Sequence, residues 1–286
     1  MNVWLPLLLL SGVALAEVRI TTGTFEGAEH FVVKTAGAEY WYDRAGGGFS
    51  RILDRDGRDW VGFRRAPWNE YPASAGSSYR GLPNFVFGPE SGEAGAGHPG
   101  FRECWSELEG GDSILTESKT GAWRWRWRFF DDHARVTVEK VGAGGYWFLY
   151  EGVPGGGYAP GRWYWGHDGG GPSREMPDFV RGERVMGRFG WAYFGSLDAP
   201  RVFFVARREA DEAPDSFGVM GSTRAGLGSP DGMVVFGFGR GKAAKPLLRG
   251  AGRGFFVGFQ EKQVIDSEAH QALVRRIRGL VQSPVD

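Results

Sequence analysis

The 286-residue chain has one cysteine, five histidines, no net charge and, past its first residues, no long apolar run. Each shortage removes a class of protein. With Cys104 alone, no disulfide can form within the chain. Its place in the strand-like stretch "FRECWSELEG" suits a small buried apolar residue better than a reactive thiol. No cysteine cluster and no His-x-x-x-His spacing exists, so zinc has no ligand set, and neither a metal nor a cofactor is expected. Thirty-four basic against 34 acidic residues argues against nucleic acid as a partner. After Ala16 no segment approaches the ~20 continuous apolar residues of a membrane span, so none is expected.

What is present begins with the run Val3–Ala16, which ends in Ala14-Leu15-Ala16. The A-x-A ending predicts a secretory signal peptide, residues 1–16, although its first residues lack Lys or Arg. Residues 17–286 are then expected as a single exported domain, secreted or periplasmic. A chain of that length can bury a core without disulfides. Twelve Trp and 48 Gly are the unusual counts. They suit short strands and tight turns, with the aromatic rings either in a sandwich core or exposed to sugars.

Residues 31–63 read as four strands separated by turns. In "DRDGRDW", Asp54, Asp56 and Asp59 lack the ligand run and the bidentate Glu of a calcium loop, whereas Asp56-Gly57 between apolar alternations signals a hairpin. In "AWRWRWRFF", Trp123, Trp125 and Trp127 alternate with Arg124, Arg126 and Arg128. Strand periodicity puts the indoles on one face and the guanidiniums on the other. The indole face buries far more apolar area and is expected in the core. The arginines then pair with Glu103, Glu107, Glu117 or Glu139 on neighbouring strands. A comb of arginines for an acidic ligand is the alternative.

Two regions read as long loops. Residues 64–100 carry Tyr79, Arg80 and His98 among Pro, Gly and Ser, and so long a connection is expected to be functional. Residues 152–190 hold Trp163, Tyr164 and Trp165 beside His167 and Asp168 between glycine runs, a candidate platform for stacking sugars or else loop packing. Arg207, Asp211 and Asp215 cluster where a strand ends. Arg240 and Glu261 each follow an apolar run and emerge from the core. A helix is expected near 267–282, capped by Asp266 or Ser267. The pattern as a whole predicts an all-β fold, a large antiparallel β-sandwich with one C-terminal helix.

"FVVKTAGAEYWYDRAGGGFSRILDRDGRDWVGF" resembles the first strands of the galactose mutarotase-like supersandwich superfamily. "SSYRGLPN", "GHPGF", "YWFLYEGVPGG", "WAYFG" and "VVFGFGRG" are similar to exported proteins of polysaccharide-degrading bacteria. The resemblance implies a large antiparallel sandwich with a carbohydrate in its concave face. Epimerases of the superfamily pair a histidine acid with a strand-end glutamate base. "GFQEKQ", one residue shorter than their motif, carries Glu261 to the base, and "GHPGF" offers His98 as the acid. The expected function is a carbohydrate-active enzyme working by acid–base chemistry on a polysaccharide or oligosaccharide. In a lyase, Arg80, Arg207 or Arg240 would hold a uronate carboxylate. In a hydrolase, Glu261 would act with Asp211 or Asp215. The alternatives are an aldose epimerase-like isomerase and a non-catalytic sugar-binding sandwich. His98, Arg80, Arg240 and Glu261 are expected on one concave surface, walled by Trp163 or Trp165, with Tyr79 and His167 as further contacts.

Overall fold

Alternating apolar residues set the strands, and most strand pairs are joined by short turns. The computed structural model describes residues 18–65, 80–87 and 93–283. The expected signal peptide and Tyr79 lie outside the described residues. A first meander comprises β1 (Arg19–Phe25), β2 (Ala28–Lys34), β3 (Ala38–Asp43) and β4 (Gly48–Asp54). A second comprises β5 (Cys104–Glu109), β6 (Ser113–Ser118), β7 (Arg124–Phe129) and β8 (His133–Lys140). Then come β9 (Phe148–Gly152), β10 (Trp163–His167), β11 (Gly170–Ser173), β12 (Val185–Gly187) and β13 (Trp191–Ser196). The last strands are β14 (Val202–Arg207), β15 (Asp215–Gly221), β16 (Gly232–Phe238) and β17 (Gly254–Gln260), before helix α1 (Ser267–Gln282). The expected all-β sandwich with one C-terminal helix is the observed fold.

Nine strands make one layer, in the order β11-β10-β13-β14-β17-β8-β7-β6-β5, all antiparallel. The other layer has two halves, β1-β2-β3-β4 and β12-β15-β16-β9. Residues 81 and 82 join them. Gly81 exchanges backbone hydrogen bonds of 2.9 and 3.0 Å with Glu151 on β9, and Leu82 bonds Phe49 on β4. The loop-rich region read from the sequence thus contributes a rung to the middle of a sheet.

Between the layers lies an aromatic core that includes Trp123, Trp125 and Trp127, each at most 1% exposed. Trp125 Nε1 donates to the Tyr42 hydroxyl at 3.0 Å, which meets Thr116 Oγ1 at 2.7 Å. The arginines face outward, as expected. Arg126 pairs with Glu139 and Glu109, Arg124 with Glu139, and Arg128 with Asp112. Glu139 was among the four glutamates expected; Glu109 and Asp112 replace the rest because the register sets Ser113 beside Arg128. The Asp-Gly turn also forms. Asp54 accepts from the backbone N–H of Asp56 and Arg58 and from Trp60 Nε1. Cys104 is buried, and burial pushes its thiol up to about 12.

Candidate active site

The second layer has its own outer face. On β9, Phe148 and Tyr150 enter the core. The alternation sends Trp147, Leu149 and Glu151 to the other side. That side is nonetheless covered, since Trp147, Leu149 and Glu151 are all buried. Part of the cover is the turn-rich stretch 93–101. Gly81 admits it: a Cβ there would stand 2.3 Å from Pro99 Cγ.

Glu151 is the centre of a polar group beneath this cover. Leu82 and Phe85 both face the core although three residues apart, so strand alternation breaks between them. The break falls at Asn84, which adopts a left-handed φ of 47°, a conformation Asn tolerates better than most residues. The bend brings Asn84 Nδ2 to donate to Glu151 Oε2 at 2.6 Å. His98 Nε2 lies 3.9 Å from the same oxygen. Its Nδ1 is 2.7 Å from the Pro99 carbonyl, which can only accept, so Nδ1 carries a proton, and Nε2 is the ring nitrogen that faces Glu151. The His98 ring is braced edge-on by Phe101 at 4.8 Å.

Arg240 completes the group from the end of β16. Its guanidinium lies over the rings of Phe179 (5.1 Å) and Trp147 (5.7 Å), and Nη1 donates to Ser216 Oγ at 3.4 Å. Gly237 makes room for its stem, because a Cβ there would meet Leu149 Cδ2 at 2.3 Å and Arg240 Cβ at 2.8 Å. Among the described residues, Arg240 Nε and Asn84 Oδ1 are buried without a hydrogen-bond partner.

Burial dominates the electrostatics. It raises the Glu151 carboxyl to about 8, against the opposing pull of Arg240, the Asn84 hydrogen bond and Arg80. Burial likewise lowers Arg240 to about 10, with Glu151 opposing. Near neutral pH the centre therefore holds a protonated carboxyl, a histidine nitrogen beside it and a desolvated cation. Such an arrangement can give a proton, take one, and stabilise negative charge developing between.

The other expected residues are placed elsewhere. Arg80 is buried, but its guanidinium is committed to the Gly62 and Gly232 carbonyls and to Asp231. It anchors the 80–87 segment and adds positive potential to Glu151. Glu261 is not brought to His98. It is exposed at the end of β17 on the nine-stranded layer, paired with Arg201 (2.8 Å) and Arg55 (3.6 Å). A strand end emerging from the core reached solvent there, not a cleft. Trp163 and Trp165 are not a loop platform. They belong to β10, where the two-residue period turns both into the core, at 1% and 4% exposed. His167, at the end of that strand, packs against Phe189 at 4.7 Å and accepts from the Gly169 N–H. Arg207, Asp211 and Asp215 form an ion cluster with Arg253, in which Arg207 and Asp215 are buried and Asp211 and Arg253 half-buried. Asp215 also accepts from the Gly239 and Phe189 N–H groups, so the cluster braces the turn that leads to Arg240.

Glu151 and Asn84 were missed in the sequence. The available signal was a lone carboxylate inside the apolar run "YWFLYEG", which a buried strand does not tolerate without a partner.

No family model and no curated protein matches the chain. Solved structures do. The HI1317 protein is 10% identical, with 85% of this chain and 96% of that one aligned at a TM-score of 0.54. YeaD, a candidate mutarotase from Salmonella typhimurium, is 11% identical over 87% of this chain and 98% of its own, at 0.48. A galactose mutarotase related enzyme from Lactobacillus acidophilus is 9% identical over 83% and 99%, at 0.46. At 10% identity and a TM-score of 0.54, the likeness to the HI1317 protein shows a shared fold and nothing further. Among the described residues, no group of His, Cys, Asp and Glu could hold a metal ion, and no helix is long and apolar enough to cross a membrane.

Proposed function

We propose that the protein is an exported carbohydrate-active enzyme whose acid–base pair is Glu151 and His98, with Arg240 stabilising negative charge on the sugar. The observation that carries this is a fully buried carboxyl, held near pH 8, 3.9 Å from a histidine nitrogen. Structural ion pairs in this chain, such as Arg207 with Asp211, join opposite charges directly. A protonated acid beside an imidazole is instead suited to moving protons. One carboxyl and one imidazole favour proton abstraction and return, as in a lyase or an epimerase. Hydrolysis would need a second carboxylate across the sugar, and Glu261, Asp211 and Asp215 are committed to other ion pairs. The A-x-A ending of the first sixteen residues supports export.

The near-complete burial of Glu151 and His98 favours a second reading, a non-catalytic sugar-binding sandwich in which the pair only fastens the 93–101 cover. Glu151→Gln separates the two, because glutamine keeps the acceptor for Asn84 but cannot supply the proton. Wild type and variant would be given a panel of uronate-containing and neutral glycans. Absorbance of unsaturated uronates, reducing ends and anomer exchange by NMR would be followed. Turnover lost by at least a hundredfold with the fold intact supports the enzyme. Equal turnover in the variant refutes the assigned pair, and no turnover by wild type on any glycan leaves the binding reading in its place.

A further inference from the structure

Eight tryptophans among the described residues are buried, whereas Trp105 on the edge strand β5 is 67% exposed. Its indole borders a 310 Å³ cleft that Arg44, Arg102, Lys119 and Glu29 also line. The cleft walls are tied by backbone contacts. Cys104 N–H donates to the Ala45 carbonyl at 2.8 Å, Lys119 N–H to the Glu103 carbonyl at 3.0 Å, and Ser106 Oγ to the Arg44 carbonyl at 2.8 Å. Arg44 pairs with Glu29 at 3.0 Å and Lys119 with Glu103 at 4.0 Å, while Arg102 makes no ion pair among the described residues. Three cations against two carboxylates leave the cleft one positive charge in a chain of zero net charge.

We infer that this cleft is a binding site for an anionic sugar residue of a polymer, separate from the Glu151 centre and independent of the reading given to it. The exposed indole supplies a flat apolar surface for a pyranose face. Arg102 offers a planar fork to a carboxylate or sulfate, and Lys119 a point charge. Glu29 and Glu103 suit hydroxyl donors, which a sugar has and a polyphosphate lacks. Nucleic acid would require a longer basic stripe, since each phosphate contact adds to affinity.

Affinity electrophoresis of the mature protein tests this, with polygalacturonate and dextran sulfate as anionic probes, and dextran and single-stranded DNA as controls. The expected result is retardation by at least one anionic polysaccharide, with the two probes separating carboxylate from sulfate, and none by dextran. Trp105→Ala should weaken that retardation on the order of tenfold. Trp105→Phe should restore most of it, and Arg102→Gln should weaken it without changing the fold. Glu151→Gln should leave it intact, which separates failure here from failure of the proposed chemistry. Absence of retardation by both anionic polysaccharides overturns the inference. So does an unchanged Trp105→Ala, or retardation by DNA as strong as by the polysaccharides.

Discussion

Glu151 should make this protein less stable as pH rises through neutrality, and replacing it with glutamine should remove that dependence. Its carboxyl rises from an ordinary 4.5 to about 8 in the folded state, burial being the cause. Below pH 4.5 the group is protonated in both folded and unfolded chains and contributes no pH dependence. Between 4.5 and 8 the folded chain keeps a proton that the unfolded chain has released, so each step upward in pH favours unfolding. Above about 8 both states are ionised and the loss levels off. Taken over the whole window, the displacement amounts to roughly 5 kcal/mol. That is a large part of the ~5–15 kcal/mol that holds a typical domain together. The measurement is urea unfolding of wild type and Glu151→Gln at pH 5, 6, 7, 8 and 9. Asp215, whose carboxyl burial raises to about 6, titrates in both proteins and cancels in the comparison. Glutamine cannot ionise, so the stability difference should move in the variant's favour by several kcal/mol from pH 5 to pH 9. Parallel profiles would refute the buried, protonated carboxyl and the chemistry built on it.

The two faces of "WRWRWR" should respond differently to truncation. Trp127→Ala, at a site with no exposure, should cost about 3–5 kcal/mol in denaturant unfolding, and Arg126→Ala about 0–1 kcal/mol. The reverse ranking would mean that the arginine row is the part under constraint. Glu261→Gln should leave turnover unchanged, since this carboxylate is exposed and paired with Arg201 and Arg55. A loss of activity matching that of Glu151→Gln would return the base to the strand end.

Much of the fold was legible because it rests on local alternation. A period of two in "WRWRWR" decides which face is buried before any partner strand is known, and Asp56-Gly57 encodes its turn within four residues. The same local rule, applied to "RWYWGHD", would have sent Trp163 and Trp165 into the core. The flanking glycines suggest a loop, but they belong to the short turns and the neighbouring strand β11 on either side of β10. Charge at strand ends proved ambiguous for a related reason. Arg240 and Glu261 each follow an apolar run. One folds back under Phe179 and Trp147, and the other meets two arginines at the surface. The sequence of the run does not distinguish them, because the difference is made by what covers each end.

The acid–base centre was illegible as a constellation for the same reason. Asn84, His98, Glu151 and Arg240 come from four stretches with no common spacing, and long-range backbone pairings, of Gly81 with Glu151, Asn84 with Gly97 and Gly237 with Leu149, set them side by side. Each stretch nonetheless departs from its local rule. "LPN" ends in a left-handed asparagine, "FLYEG" sets a carboxylate in an apolar strand, and "FGFGRG" spends glycines to admit an arginine stem. A fully buried carboxylate without partners would cost several kcal/mol, so a lone Glu inside "YWFLYEG" implies distant partners even when it cannot name them. The donor that this carboxyl needs when it meets no water is the Asn84 amide, with the His98 imidazole 3.9 Å away and the Arg240 guanidinium adding positive potential. The rule-breaking residue in a core strand is thus a better guide to the chemistry than the aromatic and charged clusters. Those clusters satisfy themselves locally, whereas Glu151 is satisfied only by the assembled fold.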